Sequence, residues 1–437
     1  MKTILSLCLL LISLCGLGHA AEFLTAMKVD KEAMKQGDVC LITCQIKKPG
    51  DIQIQVLDAQ GKVVRTLLAY QTKMKAEYPW NGKDNAGKLL PAGNYTVRVS
   101  AGLKPQLDKT FGKDGALTEF TSPFDVAIDT AGSLYLADHG DKLICKLTAD
   151  GKPVEGFANK GKLIPQGNPA LQAIKVDKAG YIYTTGPFHN IAKYDKKGNF
   201  VSVIGGWFLD EKGQHTPENT VSPLDFALGE DKIYIQRGGA DGVVVFNPAF
   251  SGKDGFIFKS SGNPFVYSPQ PPGIGYCGPG MDATPDGTLY GVGLWGQLTK
   301  AVDTGEDIEA KYNATLGPDG MAMRNPTGVA IAPDGTIWVA DWGNGRLIRF
   351  FDTGGALVPV SAFGQQAENA LEQGGFVNPH GVAVSADGKF LYVAEDGEPA
   401  YNYQTKAAQL FSGAHRLSRW TIDTFADKVE QKVTVTP

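Results

Sequence analysis

The chain has 437 residues, a net charge of −4 and 43% hydrophobic residues, enough apolar material for a large core and too much for a disordered chain. No basic block occurs, which argues against a nucleic-acid partner. Gly at 54 and Pro at 25, without a G-X-Y period and among short alternating runs, predict an all-β protein with many turns.

The chain opens with Lys2, the apolar run Ile4 to Ile12 and then the small residues Gly16, Gly18 and Ala20. These are the three regions of an export signal, with cleavage expected after Ala20 and a periplasmic or extracellular destination. Leu14 precedes Cys15 where a lipid-anchored export signal would need a small residue, and no later run approaches the length of a membrane span. Removing residues 1–20 takes the net charge to −5 and leaves four cysteines. Cys40 and Cys44 lie four apart in one strand, about 13 Å by the usual rise, so they cannot bridge each other and read as apolar filler. Cys145 and Cys277 fall in different repeats and are either free or paired. No CxxC motif suggests a zinc ribbon or covalent haem.

From Phe23 to Gly102 the pattern is strand, turn, strand, over Val39 to Ile46, Asp51 to Leu57, Val63 to Leu68 and Asn94 to Ser100. Ile52-Gln53-Ile54-Gln55-Val56 and Tyr95-Thr96-Val97-Arg98-Val99 each offer one apolar face. The run Gly61 to Leu67, then Trp80-Asn81-Gly82-Lys83-Asp84-Asn85-Ala86-Gly87 and Pro91-Ala92-Gly93-Asn94-Tyr95, resembles the Ig-like module of the flagellar hook-capping protein family. That resemblance implies a structural β-sandwich over residues 23–102 and no catalytic residue.

Beyond it, a Pro-x-x-x-Ala frame recurs six times, at Pro123, Pro169, Pro223, Pro279, Pro326 and Pro379, each followed by a turn and further strands. Repeats of about 50 residues with four short strands predict a β-propeller of six blades rather than seven, over residues 104–423. Residues 424–437 read as a C-terminal tail. Closure needs a clasp, and Lys109-Thr110-Phe111-Gly112, which looks like Ala362-Phe363-Gly364, is expected to complete the last blade. The run from Asn325-Pro326-Thr327-Gly328-Val329-Ala330 to Val339-Ala340-Asp341-Trp342-Gly343-Asn344-Gly345-Arg346 is similar to an NHL repeat; repeats one and six match it, and two, three and four are degenerate.

In such a propeller the loops entering first strands and those joining second to third strands share one face. Asp125, Asp225, Asp282 and His380 fall near the channel, and His139 with Asp141, Phe188 with His189, Arg237, Trp295, Asp341 with Trp342, and the stretch from Glu395 to His415 fall in the second set of loops. The NHL resemblance brings in enzymes, among them amidating lyases, streptogramin lyases and, more distantly, lactonases. Pro379-His380-Gly381 resembles the lyase signature whose His binds zinc, although Phe124, Ala170, Leu224, Gly280 and Thr327 occupy the equivalent positions. The candidate catalytic residues are therefore His380, His139 and Asp125, and the candidate metal ligands His380, Asp125 and Asp225, for zinc or calcium. The aromatic set Phe188, Trp295, Trp342, Tyr401 and Tyr403, with Arg237, is the candidate ligand face for a protein, peptide or glycan, each ring being either exposed or packed on a neighbouring blade. The first reading is an exported binding or scaffold protein, and the alternative is a metal-dependent propeller lyase or hydrolase.

Overall fold

The computed structural model describes residues 21–48, 50–71, 73–111, 120–165, 171–185, 190–204, 223–237, 242–250, 253–262, 264–265, 280–293, 296–364, 375–395, 401–402, 407–408 and 415–437. The chain divides into two compact units, residues 1–104 with 424–437, and residues 105–423. Among the described residues everything regular is strand, apart from two single-turn helices at Lys253–Gly255 and Trp342–Asn344. No helix of the described residues is long and apolar enough to cross a membrane. The export segment lies outside the described residues.

The first unit holds a three-stranded sheet, Leu24–Val29, Cys40–Ile46 and Lys75–Trp80, and a five-stranded sheet in the order Ala33–Lys35, Phe425–Thr436, Gly93–Leu103, Gly50–Leu57, Val63–Gln71. Period-two alternation supplies the core. Cys40, Ile42 and Cys44 from one sheet meet Ile54, Val97 and Val99 from the other, with Trp80 set edge-on to Tyr95 at 5.8 Å. Cys40 and Cys44 are free and buried, as filler should be; burial pushes their thiols up to about 11 and about 12, so neither is a ready thiolate.

The expected C-terminal tail is instead a twelve-residue strand, Phe425–Thr436, lying inside the sheet between Ala33–Lys35 and Gly93–Leu103. Val429, Val433 and Val435 alternate with charged or polar residues and give it the apolar side that a tail would lack. Asp427, buried at its start, accepts N–H groups from Glu22, Phe23 and Leu24.

The second unit contains six four-stranded sheets among the described residues. Their first strands are Pro123–Ile128, Ile174–Val176, Pro223–Leu228, Met281–Ala283, Pro326–Ile331 and Pro379–Val384. The second strand of each sheet alternates its apolar side chains between the two neighbouring sheets. In the first sheet Leu134 and Leu136 pack with the sixth sheet while Tyr135 packs with the second. Shared cores continue from the second sheet to the third, fourth and fifth. The fifth and sixth are joined by aromatic rings, Phe363 against Phe376 and Trp420 at centroid distances of 5.4 and 5.6 Å, with Trp338 packed behind Phe363 at 5.8 Å. Each sheet thus covers the next and the sixth covers the first, which is the arrangement of a β-propeller.

The clasp is where the sequence placed it. Gln106–Phe111 is the outer strand of the sixth sheet, with Leu417 opposite Phe111 and Arg419 opposite Lys109. Phe111 is buried and stacks on Tyr392 at 6.4 Å, and burying such a ring contributes about 1.5–3 kcal/mol to closure.

Candidate functional site

Strand register fixes which residues meet around the axis. The large residues at the middle of the second strands, Tyr135, Tyr183, Tyr234, Tyr290, Trp338 and Tyr392, face Ala127, Lys175, Ala227, Asp282, Ala330 and Ala383 respectively. These six form one layer of the channel. In the second repeat the sequence frame at Ala173 is therefore two residues out of register, and in the fourth the frame at Ala283 is one out. In the second and fourth repeats a charged residue, Lys175 or Asp282, stands where the others have alanine, so counting to the nearest alanine slips.

Two residues earlier in each first strand stand Asp125, Ala173, Asp225, Gly280, Gly328 and Gly381. Backbones approach closely at this level. A Cβ on Gly328 would sit 2.2 Å from the His380 carbonyl oxygen, and one on Gly381 2.5 Å from the Asp125 side chain, so only glycine fits.

Polar side chains also tie neighbouring first strands together. Asp125 accepts the Val126 N–H with Oδ1 and, with Oδ2, the Ile174 N–H of the second sheet, each at 2.9 Å. Asp225 likewise holds Phe226 and Met281 of the fourth sheet, both at 2.7 Å, and Asp282 holds Ala283 and Ile331 of the fifth, both at 2.9 Å. Thr327 donates its hydroxyl to the Pro379 and His380 carbonyls of the sixth sheet. These side chains satisfy polar groups that the inner edge of each sheet would otherwise leave bare.

Lys175 crosses between the carboxylates, its Nζ 3.3 Å from Asp125 Oδ2 and 3.8 Å from Asp225 Oδ1. Burial works against its charge, but Asp125, Asp225 and Asp282 outweigh burial and hold the ammonium above its ordinary range. Burial pushes Asp225 up to about 7, with Lys175 opposing and Asp125 adding to the rise. Burial also raises Asp282, against Lys175 and the two N–H groups it accepts.

His380 lies beside this cluster. Burial, with His139 adding, lowers it to about 3, so the ring is neutral at physiological pH. Its ring lies 3.5 Å by centroids from that of Phe124, whose centroid is 5.5 Å from the ring of His139. The buried Nδ1 of His139 finds no hydrogen-bond partner among the described residues. The space bordered by His380, Asp125, Asp225, Lys175 and Thr327 has a volume of about 10 Å³, the room of one water.

Of the candidate metal ligands, Asp125, Asp225 and His380 thus do come together. Their chemistry does not fit zinc or calcium: the cation between the carboxylates is already Lys175, whose Nζ reaches both of them. Among the described residues no group of three His, Cys, Asp or Glu side chains is placed to hold a metal ion.

The ligand-face candidates fare differently. Trp342 is only 9% exposed, held in a single helical turn closed by Gly345 in the left-handed conformation, so it is a packed ring and not an offered one. Asp341 beside it is fully buried and accepts the Arg324 N–H, Asn344 Nδ2 and Arg346 Nε, which makes it a loop anchor. Asp138 and Glu395 do the same at the ends of their second strands, for Thr121 with Ser122 and for Val377. Phe188, His189, Trp295, Tyr403 and Cys277 lie outside the described residues. Only the backbone of Arg237 and Tyr401 is described, in the strands Ile233–Arg237 and Tyr401–Asn402. Cys145 is free and buried. Lys175 is the residue that sequence reasoning missed; the signal available was a lysine between Ile174 and Val176, inside an apolar strand that pairs with Tyr183.

Residues 37–104 match the FlgD Ig-like domain model and residues 323–350 match the NHL repeat model. The chain carries an Ig-like domain of the FlgD kind and an NHL repeat. The matched NHL segment includes Asp341, Trp342 and Arg346, so the loop anchor just described belongs to the repeat itself. No curated protein matches the chain. Among solved structures, a streptogramin B lyase is similar at 15% identity and a TM-score of 0.45, covering 73% of this chain and 98% of that one. Virginiamycin B lyase from Staphylococcus aureus is similar at 15% and 0.44, covering 73% and 99%. The PQQ-bound aldose sugar dehydrogenase from Streptomyces coelicolor is similar at 16% and 0.39, covering 76% and 99%. At such scores these likenesses carry nothing about activity.

Proposed function

We propose that this is an exported binding or scaffold protein. In this reading the six sheets are the six blades of an NHL-like propeller, carried with an Ig-like β-sandwich, and its loop face recognises a protein, peptide or glycan. One observation carries the reading: the axial space beside His380 has the room of a single water, and the acids around it are engaged by peptide N–H groups and by Lys175. Little is left there for a substrate, so recognition falls to the loops that enter the first strands and leave the second. Phe188, Trp295 and Tyr403 stay in the candidate surface on their sequence positions, and Trp342 leaves it.

A glycan and peptide array with the wild type and a Phe188→Ala/Tyr403→Ala variant tests this. Binding to one ligand class, lost in the variant, supports the proposal; no binding to any member, or binding that the variant retains in full, overturns it. Amino-terminal sequencing of the secreted chain tests export, with Ala21 as the expected first residue.

The second reading, a metal-dependent lyase or hydrolase around His380, draws on the unpartnered Nδ1 of His139 beside Phe124. Elemental analysis separates the two. One zinc or calcium held per chain and lost in His380→Ala would replace the binding reading with the enzymatic one.

A further inference from the structure

Towards the ends of the first strands the propeller axis opens into a second, larger space of about 210 Å³. It exists because four of the six residues in the Tyr-facing layer are alanine, whose methyl groups fill little of the channel. Aliphatic side chains of Ile128, Val176, Leu228, Ile331 and Val384 share its lining with polar atoms. A space of about 150 Å³ already has room for a molecule the size of benzene.

The polar groups of this well are Lys175 and Asp282. They are not equivalent. Lys175 directs its Nζ to Asp125 and Asp225, whereas Asp282 has no Lys, Arg or His nitrogen within 4.0 Å among the described residues. Each oxygen of Asp282 accepts one N–H, and a carboxylate oxygen has capacity for a second. Among the described residues three acids, Asp125, Asp225 and Asp282, face one lysine on the axis, a balance that favours a cation over an anion. A calcium ion would need six to eight oxygens, which one carboxylate among alanine and branched aliphatic side chains does not supply.

We propose that this well binds a small organic monocation, a primary ammonium on a compact apolar body, with the ammonium on Asp282 and the body against the aliphatic wall. The site is separate from the loop face and does not depend on what that face recognises; the array experiment above neither supports nor undermines it.

The test is calorimetric titration of the full secreted chain with benzylammonium at pH 7, beside benzyl alcohol and benzoate as probes of the same shape. The expected result is saturable binding of one benzylammonium per chain, with both other probes at least ten-fold weaker. Asp282→Asn should weaken benzylammonium at least ten-fold. Because Asp282 also holds the Ile331 N–H, a second variant, Ala330→Leu, fills the well without touching a charge and should give the same loss in a chain whose melting transition is intact. No saturable binding to the wild type, equal binding of benzoate or benzyl alcohol, or unchanged affinity in Ala330→Leu would each overturn the proposal.

Discussion

Replacing Lys175 with methionine keeps the length of the side chain and removes the one cation that the described residues place on the axis. The Nζ lies 3.3 Å from Asp125 and 3.8 Å from Asp225, with Asp282 close enough to raise its affinity for a proton. Breaking a buried pair by removing one partner costs about 3–5 kcal/mol, because the other partner is left as an uncompensated charge. Here that charge is carboxylate, so the cost should depend on pH in a defined direction. Above pH 7, where Asp225 is ionised, the full loss of about 3–5 kcal/mol is expected. Near pH 5, below the raised pKa of Asp225, that acid is protonated and much of the loss disappears. Urea unfolding followed through the buried Trp338 and Trp420 of the second unit, at pH 8 and pH 5, measures both. Lys175→Met/Asp225→Asn, which removes a negative charge along with the positive one, should recover part of the stability at pH 8 and should fold even where the single variant does not. An equal loss at both pH values, or no rescue by the second substitution, would refute the electrostatic account and leave Lys175 as a packing residue.

Other outcomes follow from the same geometry. Asp225 has a folded pKa near 7, above its unfolded value, so it favours folding most at acid pH; this contribution declines as pH rises from about 4 to 7 and should vanish from the stability profile of Asp225→Asn. Asp352 behaves oppositely. Burial opposes its charge, but Lys300, Tyr290 and Tyr312 outweigh burial and hold it at about 2, so its contribution is present above pH 4 and lost as pH falls towards 2; Asp352→Asn should cost about 1–3 kcal/mol at pH 7 and converge with wild type in acid unfolding. Phe111→Ala should cost about 3–5 kcal/mol in the second unit, seen as a lower urea midpoint; a change below 1 kcal/mol would mean that the clasp strand does not hold the ring. Gly328→Ala should destabilise the junction of the fifth and sixth sheets, since its Cβ would collide with the His380 carbonyl; a melting temperature equal to wild type would show that the strands can part without cost.

The fold was legible wherever local pattern and packing agree. Alternation in residues 52–56 and 95–99 marks strands that do form, and the likeness of Phe111 to Phe363 located the clasp because both rings end an outer strand. The strand Phe425–Thr436 was missed because its main partner, Gly93–Leu103, is remote in sequence and nothing local says that Val433 has a core to enter. The channel was half legible. Asp125, Asp225 and His380 were placed there correctly, but their partner is a lysine in a degenerate repeat, where the alanine frame had slipped by two residues. Trp342 illustrates the reverse error: a large ring in a loop reads as a contact surface until Asp341 and Gly345 are seen to fold it inward.

The placement of Phe425–Thr436 has a consequence for biosynthesis. The amino-terminal part of the Ig-like unit cannot be sealed until Phe425–Thr436 arrives, with all 319 residues of the propeller unit, 105–423, intervening. A chain that lacks Phe425–Thr436 would present an unfilled slot between Ala33–Lys35 and Gly93–Leu103, so loss of that strand would be felt as protease sensitivity about 320 residues upstream.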